Sequence, residues 1–248
     1  MLNADPRRLR FFFGTAPQPC PYLPGQRESK AVTELGGADP LAVHDLLSQA
    51  GFRRSHSIAY RPACPACVAC VPVRVRVGDF RWTRSFRRVR RLNASLVWQE
   101  RPPRATGEQF ELFRLYERSR HNDGEMALMD YSDYRAMVED TPVDTRMIEF
   151  RDPSNRLVAA LLVDRLGDGL SGVYKFFAPD RASASSGTFL ILWLIEQAGL
   201  LGLPYVYLGY WIAGARKMAY KSRFQPIERL TPEGWRDFTP SSDPGQGR

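Results

Sequence analysis

The sequence predicts an α+β protein: an N-terminal, cysteine-bearing α/β domain over 1–101, a second domain over 102–238 and a disordered tail over 239–248. Three observations carry this. Val71, Val73, Val75 and Val77 alternate with Pro72, Arg74 and Arg76, the period of a strand that sends valines to one face and arginines to the other. From Met147 three apolar runs are separated by the turns Pro153-Ser154-Asn155 and Gly167-Asp168-Gly169, an antiparallel meander. The stretch from Thr188 to Leu201 is apolar nearly all round, a buried helix with Gly202 as its stop.

Taken in order, residues 1 to about 38 are rich in Pro, Gly and polar residues and read mainly as loop. Asp39 caps a helix over 40–50, with Pro40 in its first position and Leu41, Leu46, Leu47 and Ala50 as its buried face. Ser57 to Tyr60 is a short strand. Thr83 caps a helix to about Asn93 whose Arg84, Arg87, Arg88 and Arg91 oppose Phe86 and Val89. Leu96 to Glu100 is a strand, and Pro102-Pro103 marks the domain boundary. Thr106 and Gln109 form a capping box for a helix to about Arg120; His121 to Gly124 is a loop, and another helix begins after Ser132. The meander strands are Met147–Arg151, Leu157–Leu166 and Leu170–Ala178. Tyr205 to Trp211 returns to the sheet, with Gly209 marking a bulge or a close approach. Gly214 then opens a helical segment with Tyr220 and Phe224 on one face, ended by Pro226.

Chemistry concentrates in three places. All of the net charge of +8 lies between Arg74 and Arg104, where ten arginines face only Asp79 and Glu100. Such focusing favours a polyanion, and Phe80, Trp82, Phe86 and Trp98 interleave aromatic surface with the arginines as nucleic-acid binding requires. Arg74, Arg76, Arg87, Arg88 and Arg91 are predicted to form one continuous basic surface. Second, Cys64, Cys67 and Cys70 stand at ligand spacing, with Cys20 as a possible fourth. A zinc ion, an iron–sulfur cluster and four plain reduced thiols all remain open. Third, from Tyr205 to Glu228 a bulged strand feeds a basic, tyrosine-bearing segment, placing free amides, two amines and several phenols beside one slot. That set suits an acyl ester held next to a nucleophile. No export segment is expected from Phe11-Phe12-Phe13, and Glu196 and Gln197 interrupt the apolar run at 189–203, so a cytoplasmic protein without a membrane span is expected.

The order strand, strand, strand, helix, strand, helix, strand resembles the GNAT-type acyltransferase fold, in which a splayed central strand admits the acyl donor. The resemblance implies a GNAT-like second domain. The loop from Arg181 to Gly187 holds one glycine where coenzyme A members are glycine-rich, so another phosphate-bearing acyl carrier is expected. PCPYLPGQ (19–26), YRPACPACVACVPVRV (60–75), FRWTRSFRRVRR (80–91), RHNDGEM (120–126), VYKFFAP (173–179), SSGTFLILWLIEQA (185–198) and GYWIAGARKMAYKSRFQPIE (209–228) together resemble the bacterial aminoacyl-tRNA–protein transferases that move leucine. Leu23 and Ala69 stand where the eukaryotic arginyltransferases of this superfamily carry second cysteines.

The resemblance implies transfer of leucine from leucyl-tRNA to the α-amine of proteins beginning with Asp or Glu, a degradation signal of the N-end rule pathway, with no cofactor required for the transfer. An aminoacyl ester is already activated, so the demands are positioning and oxyanion stabilisation. Backbone amides near Gly209 and Tyr210 are expected at the oxyanion, and Lys217, Tyr220 and Lys221 at the tRNA 3′ end and in proton transfer. Glu228 and Tyr207 are candidates for a general base. Two other readings stay open: arginine as the transferred residue, and a non-catalytic RNA-binding protein built on a metal knuckle.

Overall fold

The computed structural model describes residues 10–120 and 124–239. The loop residues His121, Asn122 and Asp123, and the tail from residue 240, lie outside the described residues. The first quarter of the chain forms β1 (Phe13–Gly14), β2 (Gln18–Pro19), β3 (Arg27–Glu28), β4 (Lys30–Glu34), α1 (Pro40–Gln49), β5 (Arg53–Ser55) and β6 (Ile58–Pro62). A small antiparallel sheet runs β1-β4-β6-β5, and β2 pairs with β3. The expected loop over the first 38 residues therefore contains four strands, short enough that their turn residues mask them.

There follow β7 (Val71–Arg76), α2 (Arg84–Leu92), β8 (Val97–Arg101), α3 (Gly107–Arg120), α4 (Tyr131–Glu139), β9 (Thr145–Arg151), β10 (Leu157–Leu166) and β11 (Gly169–Phe177). Last come α5 (Ser186–Leu200), β12 (Tyr205–Trp211), α6 (Arg216–Ala219), β13 (Ile227–Thr231) and β14 (Gly234–Asp237). They build an eight-stranded sheet ordered β14-β13-β7-β12-β11-β10-β9-β8. The sheet crosses the expected boundary at 101/102, because β7 and β8 are strands of it: β7 lies between β12 and β13, and β8 forms an edge on β9.

Helices cover both faces. Tyr174 and Phe176 of β11 meet Phe113 of α3, whereas Phe177 abuts Gly187 at the start of α5, and Gly172 lies beneath Leu194 of α5. α5 is buried along most of its length, as an all-round apolar helix must be. α2 packs on the α5 face through Phe86 and Val89, in one core with Val73, Val75, Val206 and Leu208. Thr83 Oγ1 accepts from Phe86 N at 3.2 Å, and Thr106 and Gln109 form the reciprocal capping box of α3. No helix among the described residues is long and apolar enough to cross a membrane.

Three expectations need correction. α1 buries Val43, His44, Leu47 and Ser48, while Leu41 and Leu46 are 50% and 45% exposed. Its phase follows a polar contact: His44 Nε2 lies 3.6 Å from Asp164 Oδ2 of β10. The segment after Gly214 is one α turn, α6, and one 3₁₀ turn over Tyr220–Arg223 rather than a continuous helix. Beyond Pro226 the chain makes the β13–β14 hairpin, two strands where the expected element order ends in one strand without a stated range.

The small sheet is bound to the large one by buried charge. Arg54 Nε and Nη2 donate to Asp164 Oδ2 and Oδ1 at 2.6 and 2.9 Å, and Thr145 Oγ1 donates to Oδ1 at 2.7 Å. Burial pushes the His44 imidazole down to about 4, so it sits neutral beside this pair at neutral pH.

Candidate active site

β11 and β12 run parallel and are paired only at Gly169 with Tyr205, Leu170 with Val206 and Ser171 with Tyr207. Beyond that point the strands part. Both are irregular there: the β10–β11 register shifts between Leu162 and Val163, and the β12–β7 register between Tyr207 and Gly209. Bulges bend and twist a strand, so two at one level open a split. Gly209 has φ +75°, and a β-carbon on it would stand 3.1 Å from Arg53 Nε. The glycine thus serves both the bulge and a close approach, here by a side chain from β5.

Five side chains wall the split: Arg53, Lys175, Tyr220, Tyr174 and Glu117. Arg53 Nη1 and Nη2 donate to Ser171 Oγ (3.0 Å) and Gly172 O (2.5 Å). On the α5 side, Lys175 Nζ donates to Gly187 O at 2.8 Å and lies 3.3 Å from Tyr220 Oη. Burial brings the Lys175 amine down to about 7, and pushes the Tyr220 phenol up to about 12. On the α3 side Tyr174 Oη donates to the buried Glu117 carboxylate, which burial holds above the usual carboxylate range. A split with a readily deprotonated amine on one side and a carboxyl on the other can move protons at neutral pH.

The residues expected at this site divide. Tyr220 borders the split. Lys217 is exposed and lies close enough to Glu117 to act on its charge. Lys221 is buried and donates to Tyr210 O at 2.6 Å; burial, with Arg53 and Lys175 nearby, holds its amine well below the usual lysine range. It braces the β12 edge. Tyr210 turns its side chain away, its hydroxyl donating to Gly51 O (3.0 Å) and Tyr60 O (3.2 Å) under the small sheet. Tyr207 and Glu228 both serve Arg74: Arg74 Nη1 donates to Tyr207 Oη at 3.2 Å and Nε to Glu228 Oε2 at 2.7 Å. Neither is free to act as a base.

Arg74 is buried, with its guanidinium carbon 3.4 Å from the Tyr205 ring centroid and 4.3 Å from that of Trp235. Arg76 pairs with Asp79 and Asp237, each at 3.0 Å. The continuous basic surface fails for a geometric reason: α2 covers the valine face of β7, so its arginines lie across the sheet from Arg74 and Arg76. Arg87, Arg88 and Arg91 are exposed and make no ion pair among the described residues, while Arg90 pairs with Glu196 at 2.6 Å. The interleaved aromatics divide: Phe86 is core, stacked between Phe80 and Phe224, Phe80 and Trp82 are partly buried against it, and Trp98, edge-on to Trp193, stays exposed.

Cys20, Cys64, Cys67 and Cys70 are half-buried, and the other three thiols add to the burial that pushes Cys70 up to about 11. Ser29 N donates to Cys64 Sγ at 3.5 Å. The donors suit a thiophilic metal, but no three ligand groups among the described residues converge as a metal cage. Arg53, Glu117 and Tyr174 went unnoticed in the sequence because each works across long chain separations. Lys175 carried a signal, a lone charge inside the apolar run Val173-Tyr174-Lys175-Phe176-Phe177.

The chain matches the family models described as arginine-tRNA-protein transferase, N terminus, over residues 18–88 and C terminus over residues 108–231. The aspartate/glutamate leucyltransferase of Paramagnetospirillum magneticum is 56% identical over 234 residues, covering 94% of this chain and 96% of that one. This chain belongs to that family. The aspartate/glutamate leucyltransferase of Gluconacetobacter diazotrophicus is 53% identical over 247 residues, covering 100% and 95%. Among solved structures, a GCN5-related glucosamine N-acetyltransferase region of a fungal multi-domain β-N-acetylglucosaminidase is similar with a TM-score of 0.41 at 9% identity, covering 83% of this chain and 22% of that one. The C-terminal family match takes in the split from Glu117 on α3 through Lys175 to Lys221, except for Arg53, which falls in the N-terminal match. In this family member, then, one sheet unites what the two models divide.

Proposed function

We propose that the protein transfers leucine from leucyl-tRNA to the α-amine of proteins that begin with Asp or Glu, creating a degradation signal. One observation carries the reading: identity above one half, over nearly the full length of both chains, with relatives named aspartate/glutamate leucyltransferase. The split supports it chemically. The acceptor amine attacks the ester carbonyl, an oxyanion forms and collapses, and the ribose oxygen leaves with a proton. Lys175, the amine that burial brings to about 7, takes the proton from the attacking nitrogen. The unpaired β12 edge at Gly209 and Tyr210 faces the oxyanion, with Lys221 fixing that edge from behind. Tyr220 and Lys217 flank the 3′ end of the tRNA.

Arg87, Arg88 and Arg91 engage tRNA phosphates from α2, without Arg74 and Arg76, whose ion pairs belong to the sheet. Replacing the three by glutamine is expected to weaken leucyl-tRNA binding and to reduce the slope of log affinity against log salt by about 2–3, at roughly 0.7–0.9 per lost phosphate contact. Unchanged salt dependence in a filter-binding titration refutes this placement. Cys20, Cys64, Cys67 and Cys70 lie near one another without forming a metal cage; elemental analysis and visible absorption of the purified protein distinguish zinc, iron–sulfur cluster and neither.

The deciding assay offers labelled leucyl- and arginyl-tRNA to peptides beginning with Asp, Glu, Lys or Ala. Leucine on Asp and Glu peptides alone is the expected result. Arginine on the same peptides would replace the donor but keep the reaction, and no transfer with tRNA binding intact would leave a binding module.

A further inference from the structure

The two arginines buried among the described residues are matched by acids. Arg54 holds Asp164, and Arg74 holds Glu228. Arg53 is half-buried at the base of the split, yet it enters no ion pair among the described residues; its two hydrogen-bond partners, Ser171 Oγ and Gly172 O, are neutral. Lys175 and Lys221 enter none either, and Arg53 and Lys175 both add to the depression of the Lys221 amine. Arg53 thus brings a guanidinium to the base of the split on neutral partners alone, beside two amines that burial depresses, while the Glu117 carboxyl of the α3 wall is engaged by Tyr174. A guanidinium taken part-way out of water without a counter-ion is costly, and the arrangement is stable when an anion from outside completes it.

We infer that Arg53 is the residue that reads the acidic side chain of the acceptor, its guanidinium receiving the carboxylate of an N-terminal Asp or Glu at the base of the β11–β12 split. The inference rests on the reading of the protein as a transferase acting on such acceptors and supplies the specificity determinant of that reaction. Two placements favour a carboxylate over a tRNA phosphate. Arg53 comes from β5, on the face of the sheet where Ser171 and Tyr207 point, whereas the arginines of α2 and the start of α5 lie on the opposite face. The donor and the acceptor thus approach from opposite faces and meet in the gap between the strands. A narrow cleft lined by Arg53, Ser171, Gly209 and Trp235 adjoins the guanidinium on this face. The absent side chain of Gly209 is what lets Arg53 reach this point, and Arg53 Nε, unused by any described residue, is left to donate. A fork of donors held by two neutral oxygens is pre-aimed, so it binds a planar carboxylate with little loss of freedom.

The test uses the full-length protein, leucyl-tRNA and four peptides identical except for Asp, Glu, Asn or Gln at the first position. Arg53→Gln is expected to raise KM for the Asp and Glu peptides by about tenfold or more, the scale of one charged hydrogen bond, while KM for leucyl-tRNA stays within about twofold. The preference for Asp over Asn should collapse toward one. Arg53→Lys, which keeps the charge but loses the fork, should retain part of that preference. Fluorescence anisotropy of a labelled Asp peptide, without tRNA, reads the same loss independently of turnover, and Arg53→Lys carries the test alone where the glutamine variant does not fold. An intact Asp-over-Asn preference in Arg53→Gln overturns the assignment, as does a defect confined to leucyl-tRNA KM, which would place a phosphate on the guanidinium. A wild-type protein that transfers nothing but binds Asp peptides over Asn peptides through Arg53 would sink the transferase reading and leave the carboxylate site standing.

Discussion

Asp164→Ala is expected to cost about 3–5 kcal/mol of stability, the usual penalty for removing one partner of a buried ion pair. The variant leaves Arg54 charged at 5% exposure and strips Thr145 Oγ1 of its acceptor. For a chain of this length that loss lowers Tm by roughly 10 °C or more. Asp164→Asn, which preserves shape and part of the hydrogen bonding, should fall between the two, and a variant Tm within about 2 °C of wild type would show that the pair contributes little. The same cluster sets an acid sensitivity. Burial holds His44 at about 4 in the folded protein against the ordinary imidazole value of 6.5, so between those values the unfolded chain binds the proton that the fold excludes. Stability should therefore fall as pH drops from 6.5 to about 4 and level off below, and His44→Gln should remove that portion of the slope in urea titrations.

Lys175→Met is expected to lower kcat/KM for leucyl transfer by about 10²–10⁴, the range attributed to a positioned acid or base. The methionine keeps the length and volume of the side chain, so the split survives while the proton acceptor goes. In wild type, kcat/KM should rise with pH through about 7, where Lys175 loses its proton, and that inflection should be missing in the variant. Stability moves the other way. Because the folded amine titrates near 7 and the unfolded one near 10.5, burying Lys175 penalises the wild type fully below about 7 and progressively less up to 10.5. Lys175→Met should thus raise Tm at pH 6 by more than at pH 9. Full transfer activity in the variant would dismiss Lys175 as the proton acceptor.

Elements whose signals are local were legible in the sequence. The caps Asp39, Thr83 and Thr106 act within one turn, and the strand at Tyr205–Trp211 and the helix ending before Gly202 follow from residues adjacent in the chain. What was hidden depends on partners far away. β4 gains its identity only between β1 and β6, and β13 only beside β7. The valine–arginine alternation at 71–77 correctly separates two faces, but an alternation cannot say which face a later helix will cover, so Arg74 looked like a phosphate ligand when it is the centre of an aromatic and acidic cage. At the site, Tyr210 and Lys221 were drawn in by sequence proximity to Gly209; their side chains brace the strand. Arg53 belongs to the site through a contact 118 residues along the chain, which no spacing discloses.

The position of β7 between β12 and β13 has a consequence for how the protein is made. A ribosome releases residues 71–76 long before 205–211 and 227–231, so this valine-rich strand emerges with both edges bare and must wait for most of the chain to be synthesised before either partner exists. Its two arginines then act as gatekeepers, their charge discouraging the waiting strand from pairing with another nascent chain until Tyr205, Trp235 and Glu228 arrive to enclose Arg74.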